Sequence, residues 1–179
     1  IDQNGCRDEE SVVVIMNTLP NASITGTNEI CEGTNTEFIA SGGVSYSWSN
    51  GLSTQAITVN LPLDYTVTVT DLNGCKSSST IALTINNSPM AVINGNTEIC
   101  RGDSSIISVN GGSEYLWSNG NTAPFISIND DQMYFVTVTD ANGCKATGNV
   151  SLTINELPNA TISGDNAICE GQSTELSAS

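Results

Sequence analysis

The six cysteines of this 179-residue chain recur at one fixed spacing. They form two series, and both series repeat with the same 69-residue period. Cys6, Cys75 and Cys144 each end an Asp-x-Asn-Gly-Cys motif. The other series lies in an Ile-Cys-x-Gly motif, and its cysteines are Cys31, Cys100 and Cys169. A fixed period of this kind indicates tandem structural units.

The period divides the chain into four segments. Complete repeats are predicted over residues 18–87 and 88–156. Residues 1–17 match the C-terminal strands of a preceding repeat, and residues 157–179 match the N-terminal strands of a following repeat. We therefore expect the sequence to be a window from a longer array that begins and ends within a repeat.

Short runs of alternating apolar and polar residues predict β-strands throughout. The run from Tyr65 to Thr70 places threonine at every second position, and turn residues such as Asn73-Gly74 follow such runs. No segment shows the period of an α-helix. Several short strands separated by turns are typical of an all-β sandwich. The same pattern predicts strands at 12–16, 81–85 and 150–154.

The order of the aromatic residues predicts an Ig-like topology. In that fold a tryptophan of strand C packs on the link between strands B and F, and a tyrosine precedes the F position by two residues. Trp48, Tyr65 and Val67 have this order, and Phe38 holds the strand B position. Phe38 and Val67 would then replace the usual buried disulfide with an apolar contact. The equivalent residues of the second repeat are Ile107, Trp117, Tyr134 and Val136. We predict an all-β chain of tandem Ig-like β-sandwich repeats, with the 69-residue period, in a head-to-tail array.

The charge of the chain excludes several classes of function. Lys and Arg number 4 against 19 Asp and Glu, so the net charge is −15, and histidine is absent. Such a surface repels nucleic acid and anionic membranes. No run of 18 apolar residues predicts membrane insertion in this window. Without histidine we expect no enzyme, because neither a triad nor a histidine acid–base pair can form.

The cysteines favour disulfides over zinc. Zinc sites use closely paired cysteines or histidines, whereas these cysteines are single. Cysteines at regular spacing in a chain rich in Thr, Ser, Asn and Gly favour an oxidising, extracellular or cell-surface location.

The leading disulfide prediction joins Cys31 to Cys144. In an Ig-like repeat, Cys31 falls in the A–B turn and Cys75 in the F–G turn, at opposite ends of the sandwich. A seven-residue strand spans roughly 23 Å, whereas a disulfide needs Cα atoms within about 7 Å. In a head-to-tail array the A–B turn of one domain faces the F–G turn of the next. Cys75 and Cys100 would then bond repeats outside this window.

Two other connectivities stay open at this point. One is the bond within a repeat, Cys31 to Cys75. The other follows a hairpin from strand G into the next strand A. It pairs Cys6 with Cys31, Cys75 with Cys100, and Cys144 with Cys169.

Calcium is the one cofactor that the turns suggest. Asp71 and Asn73, and their equivalents Asp140 and Asn142, offer oxygen ligands of the kind that calcium prefers. The alternative is a hairpin turn, in which Asp and Asn stabilise the loop and Gly takes positive φ. Other carboxylates that could gather at a junction between domains are Glu32, Asp64, Asp130 and Asp131. We expect no other metal or cofactor.

Three stretches resemble a known repeat type: Tyr65–Cys75, Ile30–Gly33 and Ser45–Gly51. They are similar to the tandem Ig-like/PKD-like repeats of very large surface proteins of Bacteroidota, including gliding-motility-type adhesins exported by the type IX system. The resemblance covers every repeat of the chain. It implies a bacterial cell-surface or secreted location and no catalytic residues.

In that family such repeats form stalks or filaments that project a distal binding domain. The resemblance therefore implies a structural segment of an extracellular filament or adhesin stalk, stiffened by disulfides. Its partners would be neighbouring repeats of the same chain and further chains in a self-associated filament. The alternative is a binding module that offers glycans or proteins the exposed loops of each repeat. The Thr- and Ser-rich strand faces, which lack an aromatic platform, argue against that alternative.

Overall fold

A computed structural model of the chain describes residues 3–178. Between these residues the regular structure consists of β-strands, and no helix is long and apolar enough to cross a membrane. The chain divides between Asn87 and Ser88 into two compact units. Asp2, the first residue of the N-terminal Asp-x-Asn-Gly-Cys motif, lies outside the described residues.

Unit 1 contains eight short strands. They are β1 (Ser23–Thr25), β2 (Glu29–Cys31), β3 (Thr36–Ser41), β4 (Ser45–Trp48), β5 (Ala56–Val59), β6 (Asp64–Thr70), β7 (Lys76–Ala82) and β8 (Thr84–Asn86).

Unit 2 repeats this order, and each strand begins one full period of the repeat after its counterpart. The strands are β9 (Val92–Asn94), β10 (Glu98–Cys100), β11 (Ser105–Asn110), β12 (Glu114–Trp117), β13 (Phe125–Ile128), β14 (Met133–Thr139), β15 (Lys145–Ser151) and β16 (Thr153–Asn155). Two short strands follow, β17 (Ile162–Ser163) and β18 (Ser177–Ala178).

Each unit is a two-layer Ig-like sandwich. In unit 1 one layer has the order β1-β3-β5 and the other has the order β4-β6-β7, and all these neighbours are antiparallel. Unit 2 has the same two layers, β9-β11-β13 and β12-β14-β15. The strands of each layer alternate between buried and outward-facing residues because successive side chains point to opposite faces.

Each unit also contains a separate parallel pairing of two short strands. Strand β2 pairs with β8 and strand β10 pairs with β16, both parallel. The predicted single strand at 81–85 is therefore divided at Leu83, a buried residue whose N–H donates to the carbonyl of Leu63 at 3.1 Å. Before Leu83 the chain pairs with β6, and after it the chain pairs with β2. The same division occurs at Leu152.

The predicted core residues lie inside the two sandwiches. Phe38 and Val67 are both 0% exposed and belong to one apolar cluster. The ring of Phe38 also meets the ring of Tyr65 edge to face, with a centroid distance of 5.6 Å. The indole N–H of Trp48 donates to the Thr54 carbonyl at 2.9 Å, so the polar group of this buried ring is satisfied. The cluster of unit 2 contains Ile107, Trp117, Tyr134 and Val136.

The tyrosine corner differs between the units. Tyr65 donates its hydroxyl hydrogen to the carbonyl of Leu61, a short distance upstream in the chain, at 3.2 Å. The hydroxyl of Tyr134 instead accepts a hydrogen bond from the side-chain amide of Gln132 at 2.7 Å. Gln132 stands where the first repeat has Leu63, and the whole loop differs, with Asp130-Asp131-Gln132 in place of Leu61-Pro62-Leu63.

The predicted strand at 12–16 is wrong. These residues lie outside the strands, and all five side chains are at least 77% exposed. The equivalent residues of unit 1 are strands because they pair with β6 and β2. Residues 12–16 pair with no strand among residues 3–178, and an alternating pattern alone does not hold a strand in water.

Candidate functional site

The turn between β6 and β7 is closed by one carboxylate. Oδ1 of Asp71 accepts hydrogen bonds from the backbone N–H groups of Asn73 and Cys75, both at 2.9 Å. The Asp71 N–H donates to the Cys75 carbonyl at 3.0 Å, and the Gly74 N–H donates to the Asp71 carbonyl at 3.2 Å. Gly74 has a φ of 83°, which glycine adopts without strain. These bonds fix the position of Cys75 at the start of β7.

Unit 2 reproduces this turn between β14 and β15. Oδ1 of Asp140 accepts from the N–H groups of Asn142 and Cys144, again at 2.9 Å. Gly143 has a φ of 81°. The two turns are therefore built by the same local interactions, and any difference between Cys75 and Cys144 has another cause.

The predicted calcium ligands form the hairpin turn instead of an open cluster. One oxygen of Asp71 and one of Asp140 already accept two backbone hydrogen bonds each. Among residues 3–178 no group of three or more His, Cys, Asp or Glu could hold a metal ion. Asp64, Asp130 and Asp131 are exposed, as is Glu32. Calcium binding by these turns stays a prediction.

The second cysteine turn follows β2. Cys31 pairs in register with Asn86, and the next N–H, that of Glu32, donates to the Asn86 carbonyl at 2.9 Å. The Cys31 carbonyl accepts from the N–H of Thr34 at 3.1 Å and from its hydroxyl at 2.7 Å. Cys31 is thus held at the far end of β8. The equivalent pairing in unit 2 joins Cys100 to Asn155.

The cysteines fall into two chemical states. Cys31 and Cys144 are disulfide-bonded. Cys75, Cys100 and Cys169 carry free thiols. One member of each motif series is therefore oxidised, and its repeat equivalent is reduced.

The bond within a repeat, Cys31 to Cys75, is absent because Cys75 is a free thiol. The register explains why. Cys31 lies beside Asn86, and nearly the whole length of β7 and β8 separates Cys75 from Asn86. At ~3.3 Å per residue the path from Cys75 to Asn86 spans up to roughly 36 Å, far beyond the reach of a disulfide.

The sequential connectivity is also wrong for two of its three bonds. Cys75 and Cys100 are both free thiols, and so is Cys169, the predicted partner of Cys144. That scheme needed strand G to fold back on the next strand A as a hairpin. After β7 the chain instead enters β8, which is parallel to β2 of its own unit.

A salt bridge in unit 2 has no counterpart in unit 1. Nε of Arg101 donates to Oε2 of Glu156 at 2.7 Å, and a second nitrogen of Arg101 contacts the other carboxylate oxygen. This hydrogen bonding, followed by the charge of Glu156, raises the pKa of Arg101. The hydrogen bond from Arg101 lowers the pKa of Glu156. Unit 1 has Glu32 and Asn87 at these positions.

A cavity of about 770 Å³ opens beside Cys100. Its lining includes Cys100, the neighbouring residues Glu98, Ile99 and Asp103, and Asn155 of the paired strand. Cys100 is exposed there and carries a free thiol.

Three features of the site were not predicted from the sequence. Asn86 and Asn155 anchor the two Ile-Cys turns through parallel pairings between strands that are far apart in the chain. The Arg101–Glu156 pair likewise joins residues that are distant in the chain. The third feature is present in the sequence itself: a Lys or Arg directly follows each cysteine of the Asp-x-Asn-Gly-Cys series, as Arg7, Lys76 and Lys145.

No protein-family model and no curated protein matches the chain. Among solved structures, the chain is similar to murine CEACAM1b, with 11% identity, a TM-score of 0.38 and coverage of 75% of this chain and 100% of that one. It is also similar to a 1.5-MDa bacterial ice-binding adhesin, with 12% identity, a TM-score of 0.41 and coverage of 83% and 70%.

A third similar structure is the insect immune protein hemolin, with 15% identity and a TM-score of 0.40. The match covers 76% of this chain but only 46% of hemolin. With identities of 11–15% and TM-scores of at most 0.41 across these three structures, function has to be inferred from the residues of the chain itself.

Proposed function

We propose that the chain is a structural segment of an extracellular filament or adhesin stalk in which disulfides join neighbouring Ig-like repeats, beginning with Cys31 to Cys144. The observation that carries this proposal is the oxidation pattern. Cys31 and Cys144 are disulfide-bonded, whereas their repeat equivalents Cys100 and Cys75 are thiols. If each domain closed its own bond, equivalent cysteines would share one state. The pattern instead supports a bond from the A–B turn of one repeat to the F–G turn of the next.

Burial of the cysteines supports the same connectivity. Cys144 is fully buried, whereas Cys75 is only half-buried in a turn with the same hydrogen bonds. Cys31 is half-buried, whereas Cys100 is exposed. In both series the bonded cysteine is thus the more protected one. The local turn does not explain this difference, so we attribute it to the neighbouring repeat.

The linker is suited to a stiff array. Only residues 87–91, which include Pro89, separate β8 from β9. Proline restricts the backbone, and a short connection restricts the reach of each domain. A disulfide beside this linker would be a second connection between the domains, and it would oppose bending and twisting.

The chemistry of the chain supports a location outside the cell and a role without catalysis. Structural disulfides persist in oxidising compartments. The net charge of −15 favours solubility and opposes nonspecific association. We infer a bacterial cell-surface or secreted protein, with neighbouring repeats as its first partners and lateral self-association as its route to a filament.

Non-reducing peptide mapping tests the connectivity. The free thiols of the full chain are alkylated before digestion at acidic residues, because Lys and Arg number only 4. We expect a cross-linked peptide that contains Cys31 and Cys144. A peptide that links Cys31 to Cys75 contradicts the proposal.

Electron microscopy of the oxidised and reduced protein tests the stiffness. Oxidised chains should show a narrow distribution of angles between domains, and reduction should broaden it. The Cys75→Ser variant is the matched control, because it removes a cysteine without removing the proposed bond. Equal distributions before and after reduction contradict a stiffening role.

A binding module is the second candidate, and one observation favours it. On the outer face of the β12-β14-β15 sheet, Leu116, Met133 and Phe135 are 50–54% exposed. The equivalent residues of unit 1 are polar: Ser47, Asp64 and Thr66. An exposed apolar patch that one repeat has and the other lacks is typical of an interaction surface. Binding of glycans or proteins that is lost in Phe135→Thr would establish this role.

A further inference from the structure

The outer face of the β12-β14-β15 sheet differs from its counterpart in unit 1 at four neighbouring positions. Unit 2 has Leu116, Met133 and Phe135 there, each 50–54% exposed, together with the exposed Glu114. The equivalent residues of unit 1 are all polar: Ser45, Ser47, Asp64 and Thr66. A cluster of exposed apolar residues of this kind marks an interaction surface.

The strand register brings the apolar side chains together along the middle of this face. Leu116 pairs with Thr137 of β14, and Phe135 lies two residues before Thr137 on the same face. Met133 continues the same row along β14. Diagonal neighbours on adjacent strands are within reach of long and aromatic side chains. The three apolar residues therefore form one strip along the central strand of the sheet.

One acidic and one basic residue lie at opposite edges of the same face. Glu114 and Lys145 both pair with Thr139, from β12 on one side and from β15 on the other. Because neighbouring strands are about 4.8 Å apart, the backbones of Glu114 and Lys145 are about 10 Å from each other. Neither residue belongs to an ion pair among residues 3–178. The face is thus uncharged along its centre and carries opposite charges at its two edges.

The nearby carboxylates lie beyond the ends of this face. Asp140 follows β14, and its Oδ1 is held inside the turn by two backbone N–H groups. Asp130 and Asp131 lie in the loop that precedes β14. Their charges contribute a general repulsion between copies of the chain, which salt screens. Of the outward-facing residues of the three strands, Glu114 and Lys145 carry the charges.

We propose that this face is a self-association surface, to which a second copy of the chain binds about a two-fold axis parallel to β14. Such an axis exchanges the two edge strands and keeps the rows of residues aligned. Glu114 of each copy then faces Lys145 of the other, and Phe135 meets its own counterpart. A two-fold contact uses the same surface on both copies, so a face with opposite charges at its edges is complementary to itself. The inference deepens the proposed function and rests on it, because it names the surface for lateral association of stalks.

The outer face of the other sheet of unit 2 lacks this complementarity. Phe125 and Ile106 are 57% and 67% exposed there, so apolar residues are present. Strands β9, β11 and β13 contain no charged residue, however. Complementary charges fix the register of a partner, which an apolar patch alone does not. The charge pattern therefore distinguishes the two faces, and Phe125 provides a matched control for Phe135.

The size of the face predicts a weak, reversible contact. Three strands at about 4.8 Å and the seven residues of β14 at about 3.3 Å give a face of roughly 14 by 23 Å. Two such faces bury roughly 650 Å², about half of what a stable specific interface needs. We therefore expect a dissociation constant on the order of 0.1–1 mM for one pair of faces. Several such contacts along two arrays would reinforce each other through multivalency.

Sedimentation equilibrium of the full chain at rising concentration tests this surface. The free thiols are first alkylated, so that Cys75, Cys100 and Cys169 cannot form disulfides between copies. At about 0.15 M ionic strength, which screens exposed charges beyond about 8 Å, we expect a reversible shift from monomer to dimer towards about 1 mM protein. The Phe135→Thr variant, which restores the residue type of unit 1, should weaken association at least about 5-fold. The Phe125→Thr variant should leave association unchanged.

Charge reversals test the two-fold arrangement. Glu114→Lys and Lys145→Glu should each weaken association about 3- to 10-fold, because like charges then face each other. A 1:1 mixture of these two variants should recover association close to the wild-type strength, since each reversed charge meets its opposite on the other copy. Lys76→Glu makes the same change of net charge at the equivalent residue of unit 1 and should associate as the wild type does.

The outcomes separate this surface from the disulfide joint between repeats. A chain that stays monomeric at about 1 mM overturns the surface, while peptide mapping alone decides the Cys31–Cys144 joint. Equal losses in Phe135→Thr and Phe125→Thr overturn the assignment of the face. A mixture of the two charge variants that fails to associate overturns the two-fold arrangement. Glycan binding that Phe135→Thr abolishes, in a chain that stays monomeric, assigns the face to the binding module instead.

Discussion

Cys31 pairs in register with Asn86 in the parallel sheet of β2 and β8. This relationship places Cys31 at the far end of β8, whereas Cys75 lies directly before the start of β7. The two cysteines of one repeat therefore mark opposite ends of the domain. The proposed joint needs this placement, because one cysteine would bond the repeat before it and the other the repeat after it.

Replacement of the bonded cysteines should destabilise the protein without additivity. If Cys31 and Cys144 form one bond, Cys31→Ser, Cys144→Ser and the double variant should each lose the same stability, about 2–4 kcal/mol. Cys75→Ser and Cys100→Ser are the controls and should leave the stability of the protein unchanged, because these thiols are free. Denaturant unfolding under oxidising conditions measures the difference. A double variant much less stable than either single variant contradicts a shared bond.

Removal of the turn carboxylate should destabilise unit 1. Asp71→Ala deletes the oxygen that accepts from the N–H groups of Asn73 and Cys75, and we expect a loss of about 1–2 kcal/mol. The Asp71→Asn variant keeps an Oδ1 acceptor and should lose less stability than Asp71→Ala. Asp64→Ala makes the same change of charge at an exposed residue and serves as the control. Equal stability of the Asp71→Ala and Asp64→Ala variants in urea would count against this role of Asp71.

Truncation of Phe38 should unfold unit 1 selectively. Phe38 is 0% exposed and contacts the ring of Tyr65, so Phe38→Ala leaves a cavity that costs about 3–5 kcal/mol. Ile39→Ala changes the adjacent residue, which is 41% exposed on the outer face of the same strand, and should cost less than about 1 kcal/mol. Calorimetry of the Phe38→Ala variant should show that unit 1 alone unfolds at a lower temperature. A similar loss in both variants contradicts this core assignment.

The Arg101–Glu156 pair predicts a local pH dependence. Because the pKa of Glu156 is lowered in the folded protein, any stabilisation from the pair is present above its ordinary value of 4.5. That stabilisation is lost as the pH falls through the lowered pKa. Arg101→Gln should return the pKa of Glu156 towards 4.5, as measured by NMR titration of its carboxyl carbon.

Lys145→Gln is the control for this titration, because it removes a cation that does not contact Glu156. It should leave the pKa of Glu156 low. If Glu156 titrates identically in the Arg101→Gln variant and the wild type, the ion pair does not form in solution.

The alternation of apolar and polar residues and the turn motifs predicted much of each sandwich. Alternation of apolar residues located the strand from Tyr65 to Thr70, which is β6 in the structure with one more residue, Asp64. The Asn73-Gly74 pair located a turn, and Gly74 has the positive φ that such a turn requires. These features depend on neighbouring residues, so the sequence carries them directly.

Pairing between distant residues was harder to predict. The pattern at 81–85 and the pattern at 12–16 are alike, yet only the first forms strands, because only it has β6 and β2 as partners. The division at Leu83 likewise reflects a change of partner. Neither fact is contained in the alternation of the residues themselves.

The sequence by itself determined the 69-residue period, the all-β class, the two turn motifs and the set of apolar residues available for the core. It also placed every cysteine in one of two turns. Only the tertiary structure decided that Cys31 lies beside Asn86 at the far end of β8, and which cysteines are oxidised. The reason is that backbone conformation follows from local residues, whereas a disulfide depends on the distance between turns that only the register of the strands can set.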